Sequence, residues 1–367
     1  MTKLNELANI GQSVWLDYIS RNLLTSGELI KLREMGLRGM TSNPTIFDKA
    51  ISKSSDYDED IKRYISKGLS IEEIYEKLAL KDIGIAADEM RKVYDDTDGL
   101  DGYISIEVNP LLANNTNETI EQAKHLFKEL GRPNIMIKIP GTEEGLPAIT
   151  EVLGSGINVN VTLIFSTKSY RKVVEAFMAG LEKYDSAGGD ISKHASVASF
   201  FVSRVDTAVD KELESKGNKE LQGKIAVANS KIAFEISEEM FNSERWKKLE
   251  AKGARKQRLL WASTSTKNPD YYDLLYVDTL IGPDTVNTMP PDTVKAFIDH
   301  GKIESKLTQG IDEAKIQLEK LKELGIDMNK ITDKLLTDGV KSFSDSFESL
   351  IDSLKDKVKK IKEEVNV

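Results

Sequence analysis

The segment NIMIKIP, at residues 134–140, has the composition of a buried β-strand but carries one lysine. Its three isoleucines alternate with Met136 and Lys138, so one face of the strand is aliphatic and the other presents an amine. An unpaired ammonium is costly to bury, whereas the neutral amine is a nucleophile. Lys138 is therefore either a structural lysine or the reactive group of an enzyme.

Seven further segments are similarly short and apolar or alternating, and longer helical patterns separate them. The eight strand candidates are SVWLDYI (13–19), GMTSN (39–43), YISIEVN (103–109), NIMIKIP (134–140), NVNVTLIFS (158–166), SVASFFVS (196–203), RLLWAST (258–264) and YVDTLIG (276–282). Strands that alternate with helices form right-handed βαβ units and a parallel sheet. Eight such units predict an α/β fold of the (β/α)8 TIM-barrel type, which usually spans about 250 residues before insertions.

The chain has 367 residues, and we interpret residues 1–367 as a single barrel domain with additions. The additions are an elaborated region at 50–100, a helical insert at about 207–256 and a C-terminal helix at about 340–364. For the insert we expect a lid or a subunit contact.

The C-terminal helix places apolar residues at helical spacing on one face; they are Val340, Phe343, Phe347, Leu350, Ile351, Leu354, Val358 and Ile361. We expect this face to dock on the barrel of its own chain. Pairing with a second copy, in a homodimer, is the alternative.

Composition excludes several functional classes. Hydrophobic residues make up 40% and charged residues 30%, which suits a folded core. A net charge of −9 without a basic block argues against nucleic acid as a partner. The absence of cysteine and the presence of only three histidines argue against thiolate chemistry and a metal site. With no apolar run of membrane-spanning length and no signal-peptide pattern, the sequence predicts a cytoplasmic protein that does not contact membranes.

Polar residues share one face of three consecutive strand candidates; they are Ser105, Glu107 and Asn109, then Lys138, then Asn158, Asn160 and Thr162. Asp17 and Asn43 stand near the ends of the first two candidates. Barrel enzymes carry their catalytic groups at the C-terminal ends of the strands. A lysine accompanied by carboxylates, amides and a hydroxyl suits amine chemistry on a carbonyl, so the pattern predicts a Schiff base.

Three motifs, MTSNPTIFDKAI (40–51), NIMIKIPGTEEG (134–145) and INVNVTLIFS (157–166), together resemble the transaldolase family of class I aldolase-type barrels. A fourth, WASTSTKNP (261–269), resembles the longer subfamily. The resemblance implies transfer of a dihydroxyacetone unit from a ketose phosphate, typically sedoheptulose 7-phosphate, to glyceraldehyde 3-phosphate. The products would be erythrose 4-phosphate and fructose 6-phosphate, in the pentose phosphate pathway. It also implies sugar-phosphate substrates and neither a metal nor an organic cofactor.

The resemblance assigns catalytic roles to four residues. Lys138 matches the Schiff-base lysine, and Asp17 matches the acid/base at the carbon–carbon bond that is cleaved. Glu107 and Thr162 match the pair that handles a catalytic water during imine formation and hydrolysis. The protonated imine acts as an electron sink, so cleavage leaves an enamine.

Substrate-binding roles follow from the same resemblance. Asn43 and Asn160 match amides that orient the sugar and the carbanion intermediate. Ser199 matches a nearby hydroxyl contact, and Phe201 an apolar wall.

The phosphate site departs from the family pattern at one position. Shorter members use an arginine in SVASFFVSR, a serine, and a second arginine two residues after that serine. Arg204 and Ser263 match the first two, but the third position is Ser265. Lys267 lies just beyond, and we expect it to substitute as a point charge.

Other interpretations apply to single residues and to the whole chain. Glu107 alone suits a buried salt bridge, Asp17 alone a helix cap, and Asn43 before Pro44 a turn. For the whole chain, one alternative is an aldolase that releases free dihydroxyacetone. The other is a catalytically silent barrel that binds sugar phosphates.

Overall fold

Eight parallel strands pair in sequence order and close into a barrel in the computed structural model, which describes residues 2–365. The strands are β1 (Gln12–Asp17), β2 (Gly39–Thr41), β3 (Ile104–Glu107), β4 (Ile135–Pro140), β5 (Val159–Ile164), β6 (Ser196–Phe201), β7 (Arg258–Ala262) and β8 (Thr285–Met289). The predicted (β/α)8 TIM barrel is confirmed.

The position predicted for the eighth strand is wrong. Residues 276–282 contain most of a short buried helix at Leu275–Thr279, and β8 begins at Thr285. A short apolar run is compatible with either a buried helix or a buried strand, so its composition could not decide. The true strand, TVNTM, looks too polar to be buried. Its polar side chains find partners inside the barrel: Gln12 Nε2 donates to Thr285 Oγ1 (3.0 Å), and Thr264 Oγ1 donates to Asn287 Oδ1 (2.9 Å).

Helices follow the strands and form the outer layer. Between residues 2 and 365 the α-helices are α1 (Lys3–Ile10), α2 (Arg21–Thr25), α3 (Glu28–Glu34), α4 (Pro44–Ser52), α5 (Asp58–Ser66), α6 (Ile71–Asp96), α7 (Thr116–Leu130), α8 (Gly145–Leu153), α9 (Thr167–Ser186), α10 (Ser203–Ser215), α11 (Ile225–Met240), α12 (Glu244–Glu250), α13 (Leu275–Thr279), α14 (Pro291–His300), α15 (Ile311–Glu323) and α16 (Met328–Val365). Two 3-10 helices lie at Pro110–Leu112 and Ile191–Lys193.

The region predicted as a helical insert, about 207–256, holds most of α10 together with α11 and α12. Helix α11 packs against α9, α10 and α15. Its role as a lid or a subunit contact stays a prediction.

The C-terminal helix α16 is longer than predicted and begins at Met328, not near residue 340. Its apolar face, including Phe343, Leu350 and Leu354, is buried against the same chain, in contact with α4, α5, α6 and α10. Docking on the barrel of its own chain is therefore what the structure shows. Gly339 lets the helix approach the end of β5, since a Cβ there would lie 3.0 Å from Leu163 Cδ2.

Local sequence starts several helices directly after the strands. Asn43, two residues after β2, caps α4. Pro44 occupies the first turn of this helix, where its missing N–H costs nothing. Ser166, two residues after β5, caps α9. Short connections of this kind keep polar side chains at the C-terminal end of the barrel. None of the described helices combines the length and apolar character that a membrane span requires.

Candidate active site

A cavity of about 370 Å³ opens at the C-terminal ends of the strands. Most of the residues predicted from the sequence line it; they are Asp17, Asn43, Lys138, Thr162, Ser199, Phe201, Arg204, Ser263 and Lys267. The remaining two, Glu107 and Asn160, lie beside lining residues without facing the cavity themselves. The structure thus brings all of the predicted site residues together.

Lys138, on β4, is 5% exposed. Its Nζ donates to the carbonyl oxygen of Ser42 at 3.3 Å and lies 3.7 Å from Glu107 Oε2. The ring of Phe343, from α16, is centred 5.8 Å from the same nitrogen. An ammonium can donate three hydrogen bonds, so this amine is poorly satisfied for a buried charge.

Glu107 is the register neighbour of Lys138 on β3. It does form the buried ion pair that the alternative interpretation suggested, but 3.7 Å is too long for a hydrogen bond. Neither carboxylate oxygen has a hydrogen-bond partner among the described residues. Burial, with a smaller contribution from the negative charge of Asp17, raises the pKa of Glu107 to about 7, although Lys138 opposes the shift. A carboxyl with this pKa can both accept and donate a proton near neutral pH.

Thr162 and Asn160, on β5, differ in how they are satisfied. Asn160 donates through Nδ2 to Ser105 Oγ (3.0 Å) and accepts from Ser199 Oγ (2.7 Å), which fixes the amide. The buried hydroxyl of Thr162 has no partner in residues 2–365. The next residue, Leu163, has φ +59°, and the register with β6 shifts here. Irregularities of this kind re-aim side chains next to active sites.

Asp17 ends β1, and its Oδ1 accepts a hydrogen bond from Thr41 Oγ1 at 2.7 Å. It does not cap the following helix, because Ser20 does so. Asn43, in contrast, is a helix cap whose Oδ1 accepts from the backbone N–H of Ile46 at 3.0 Å. The structure thus gives Asn43 a capping role in place of the turn suggested as its alternative, and its amide nitrogen is the group available to bind an oxygen of a ligand.

Two cations line the side of the cavity formed by β6 and β7. Arg204 lies in the first turn of α10, with its guanidinium 5.3 Å from the ring of Phe201. Lys267 donates to Ser265 Oγ at 2.6 Å. Burial lowers the pKa of both groups, and for Lys267 the positive charge of Arg204 lowers it further. In the described part of the chain neither forms an ion pair, so this side of the cavity suits an anion.

Ser263 connects the loop that carries Lys267 to the start of α10, which carries Arg204. Its Oγ lies 2.9 Å from Ser203 Oγ, and its carbonyl oxygen accepts from the backbone N–H of Ser203 at 3.0 Å. Its φ of +56° is unusual for a residue other than glycine. Such strain is often found at functional sites.

Sequence reasoning missed several lining residues; they are Tyr18, Thr41, Lys49, Thr288 and Phe343. Thr41 shares the polar face of its strand and could have been found by its alternation. Thr288 lies on the strand whose position was predicted incorrectly. Phe343 reaches the cavity from a helix about 200 residues away in sequence from Lys138, which no local pattern signals.

Comparison with known proteins agrees with this geometry. A sequence model of the transaldolase/fructose-6-phosphate aldolase family matches residues 14–354. The chain is 49% identical to "Transaldolase" of Trichodesmium erythraeum over 98% of each chain. It is 48% identical to "Transaldolase 2" of Nostoc sp. PCC 7120 over 97% of each. It is 45% identical to "Transaldolase" of Saccharopolyspora erythraea over 98% of this chain and 99% of the relative. The chain therefore belongs to the transaldolase/fructose-6-phosphate aldolase family.

Proposed function

We propose that the protein transfers a dihydroxyacetone unit from sedoheptulose 7-phosphate to glyceraldehyde 3-phosphate, through a Schiff base on Lys138. The products are erythrose 4-phosphate and fructose 6-phosphate. One observation carries the proposal: the amine of Lys138 faces a barrel-end cavity, 3.7 Å from a carboxyl group whose pKa is about 7.

The first half of the reaction forms an imine and breaks a carbon–carbon bond. The amine of Lys138 attacks the ketone carbon of the donor, and loss of water leaves a protonated imine. Asp17 removes the proton from the hydroxyl next to the bond that breaks. That hydroxyl becomes the carbonyl of the departing aldehyde, and the electrons of the broken bond form an enamine with the imine. The amine of Lys138 acts as the nucleophile, and the protonated imine that it forms then acts as the electron sink.

The second half reverses these steps with a different aldehyde. The enamine carbon attacks the carbonyl of glyceraldehyde 3-phosphate, and Asp17 returns its proton to the new hydroxyl. Water then adds to the imine and releases the product from Lys138. We assign the proton transfers of the water steps to Glu107, assisted by Thr162, because a carboxyl with a pKa of about 7 can serve in both directions.

The binding residues support this assignment by their chemistry. Ser199 donates its hydroxyl proton to Asn160, which orients it to accept a hydrogen bond from a hydroxyl of the sugar, and the amide nitrogen of Asn43 can donate to another oxygen. Arg204 and Lys267 would hold the phosphate of both donor and acceptor, so that one subsite serves both halves of the reaction. Phe201 packs beside Arg204 as an apolar wall.

Release of free dihydroxyacetone is the second candidate, since the family description includes fructose-6-phosphate aldolase as well as transaldolase. The two outcomes differ in what reacts with the enamine. An aldehyde acceptor gives transfer, and protonation followed by hydrolysis of the imine gives release.

Trapping with borohydride tests the Schiff base. We expect incubation with fructose 6-phosphate and borohydride to give an intact-mass increase for one reduced dihydroxyacetone adduct, mapped to Lys138 and absent in Lys138→Ala. Glyceraldehyde 3-phosphate added before the reductant should remove the adduct if transfer dominates. If fructose 6-phosphate binds but forms no adduct, the chain is the silent, ligand-binding barrel.

Three expectations about the protein's setting also belong to this proposal. We infer a cytoplasmic location, which fractionation of the source cells tests, and the homodimer named above as the alternative for the C-terminal helix is tested by the molar mass in solution. For residues 207–256 we propose a lid or subunit contact. Unchanged kinetics and solution mass after deletion of the segment would exclude both roles.

A further inference from the structure

A second cavity, of about 480 Å³, lies beside the catalytic cavity, and Lys267 lines both. Charged residues of both signs line the second cavity; they are Asp206, Asp210, Lys211, Glu214, Lys219 and Asp270. Lys267 therefore lies at the boundary between the two cavities, with Arg204 as its cationic neighbour.

The repulsion between two neighbouring cations bears on the phosphate site. Arg204 repels the ammonium of Lys267, which acts to separate the two side chains, whereas Asp17 attracts the ammonium toward the catalytic cavity. A lysine on a loop has a flexible side chain, so something must hold this loop in place if Lys267 is to bind the same phosphate as Arg204.

Two hydrogen bonds join the segment after Lys267 to α10, the helix that carries Arg204. One comes from the loop that contains Lys267, residues 263–274, and the other comes from α13. Tyr271 Oη, four residues after Lys267, donates to Asp210 Oδ2 at 2.7 Å, and the other oxygen of Asp210 accepts from the N–H of Gly223 at 3.0 Å. Tyr276 Oη donates to Asp206 Oδ2 at 2.9 Å. Both acceptors lie on α10, four residues apart and thus on one face.

The ring of Tyr271 also packs closely against Gly223. Gly223 has φ +70°, and a Cβ at this position would lie 2.9 Å from Tyr271 Cζ. The glycine therefore allows the tyrosine ring to lie directly against the α10–α11 connection. The loop of Lys267 is held by the segment that follows β6, the same segment that the sequence analysis interpreted as a helical insert.

We propose that the hydrogen bond between Tyr271 and Asp210 positions Lys267 for phosphate binding. It holds the loop against α10, so that Lys267 and Arg204 face one phosphate group. Tyr271 and Asp210 are positioning residues, and the inference depends on the proposed function only in taking phosphate as the group bound there.

Tyr271→Phe is the central test, because it removes the hydroxyl and keeps the ring against Gly223. We expect the KM for fructose 6-phosphate to rise about tenfold, the effect of losing one well-placed charged hydrogen bond. The kcat, and the kcat/KM for unphosphorylated fructose, should stay within about twofold. Tyr272→Phe is the matched control. This neighbouring tyrosine is 43% exposed and its ring packs on His300, so the KM of the Tyr272→Phe variant should equal that of the wild type.

A double-mutant cycle separates positioning from a general structural effect. If Tyr271 acts through Lys267, Tyr271→Phe should have no further effect on KM in the Lys267→Ala background. Additive effects in the double variant, or equal losses with fructose and fructose 6-phosphate, would overturn the proposal.

Calorimetric titration with inorganic phosphate gives a measurement that needs no turnover. Phosphate should bind the Tyr271→Phe protein about tenfold more weakly than the wild type and the Tyr272→Phe protein. Equal affinities would contradict the positioning role even in an active enzyme. If phosphate affinity differs as expected but the protein forms no Schiff base, the proposed function is rejected and the positioning role of Tyr271 is retained.

Discussion

At the N-terminal end of the barrel, Arg258 and Asp101 form a buried ion pair, as Lys138 and Glu107 do at the C-terminal end. The first pair is 2.8 Å long, and Ser13 bonds to both partners. Arg258 also donates to the carbonyl oxygen of Leu100 at 2.7 Å, and Trp15 Nε1 donates to Asp101 at 3.3 Å. Each group of this network has several partners.

The second pair is left incomplete. Its ions are 3.7 Å apart, and within residues 2–365 the oxygens of Glu107 accept no hydrogen bond. Buried charges that are fully bonded stabilise the native arrangement, whereas poorly bonded ones cost stability and are retained for another reason. Burial and charge are common to both pairs, so hydrogen-bond satisfaction is what distinguishes the Arg258–Asp101 pair from the pair to which we assign the reaction.

Removing the amine of Lys138 should have the largest effect on activity. We expect Lys138→Ala to lower kcat for transfer by at least about 10⁴-fold, the scale seen when a nucleophile is removed. The loss of unfolding free energy should be smaller than that of a closely bonded pair, because Glu107 loses a partner 3.7 Å away and can take up a proton. Coupled enzyme assays and urea unfolding measure both; residual transfer above about 1% would contradict a Schiff base on this residue.

Arg258→Met should lower stability strongly and leave activity nearly unchanged. Removing one partner of a satisfied buried pair leaves Asp101 unpaired and should cost about 3–5 kcal/mol of unfolding free energy. The protein that remains folded should keep its kcat within about twofold, since Arg258 lies at the far end of the barrel. Urea unfolding together with assays of the folded fraction would show whether the two ends are functionally separate.

Glu107→Gln should reveal an effect of pH. The folded state holds the proton of Glu107 up to a pKa of about 7, against 4.5 for an ordinary glutamate, so the unfolded chain loses this proton first as the pH rises. Protonation therefore stabilises the wild-type fold below pH 4.5, and this contribution is lost as the pH rises to about 7. Relative to the glutamine variant, the wild type should lose roughly 2–3 kcal/mol between pH 5 and pH 8.

Urea unfolding of both proteins at the two pH values makes this measurement, with Asp101→Asn as the control from the other end. Glu107→Gln should also slow turnover about 10²- to 10³-fold, as loss of a general acid/base does. Parallel stability curves for wild type and Glu107→Gln would show that the carboxyl titrates normally.

Removal of single hydroxyls should give the smallest effects. Thr162→Val preserves the shape of a side chain whose buried hydroxyl has no partner, so stability should change by less than about 1 kcal/mol while turnover falls about tenfold. Ser13→Ala should lower stability by about 1–2 kcal/mol, because it removes one hydrogen-bond partner from Arg258 and one from Asp101, and should leave turnover unchanged. A stability loss in Thr162→Val as large as that in Ser13→Ala would weaken the comparison.

Much of the fold could be predicted because its signals are local. Alternating strands and amphipathic helices revealed the barrel and seven of its strands, and the polar face of β3–β5 pointed to Lys138, Glu107 and Thr162. The position of the eighth strand was predicted incorrectly because two of its polar atoms, Thr285 Oγ1 and Asn287 Oδ1, accept hydrogen bonds from Gln12 on β1 and from Thr264, two residues after β7. Composition cannot show such partners.

Residue types and their alternation were enough to predict a lysine in an aliphatic strand, with carboxyl and hydroxyl groups on the same side, and four motifs were enough to suggest a family. These follow from residue type and the period of two, which act over a few residues. The tertiary structure alone decided which ions are satisfied, that Asn43 caps a helix, that Phe343 reaches Lys138, and that Tyr271 holds the loop of Lys267 against α10. Those properties depend on atoms brought together from distant parts of the chain, and hydrogen bonding and desolvation act through space rather than along the sequence.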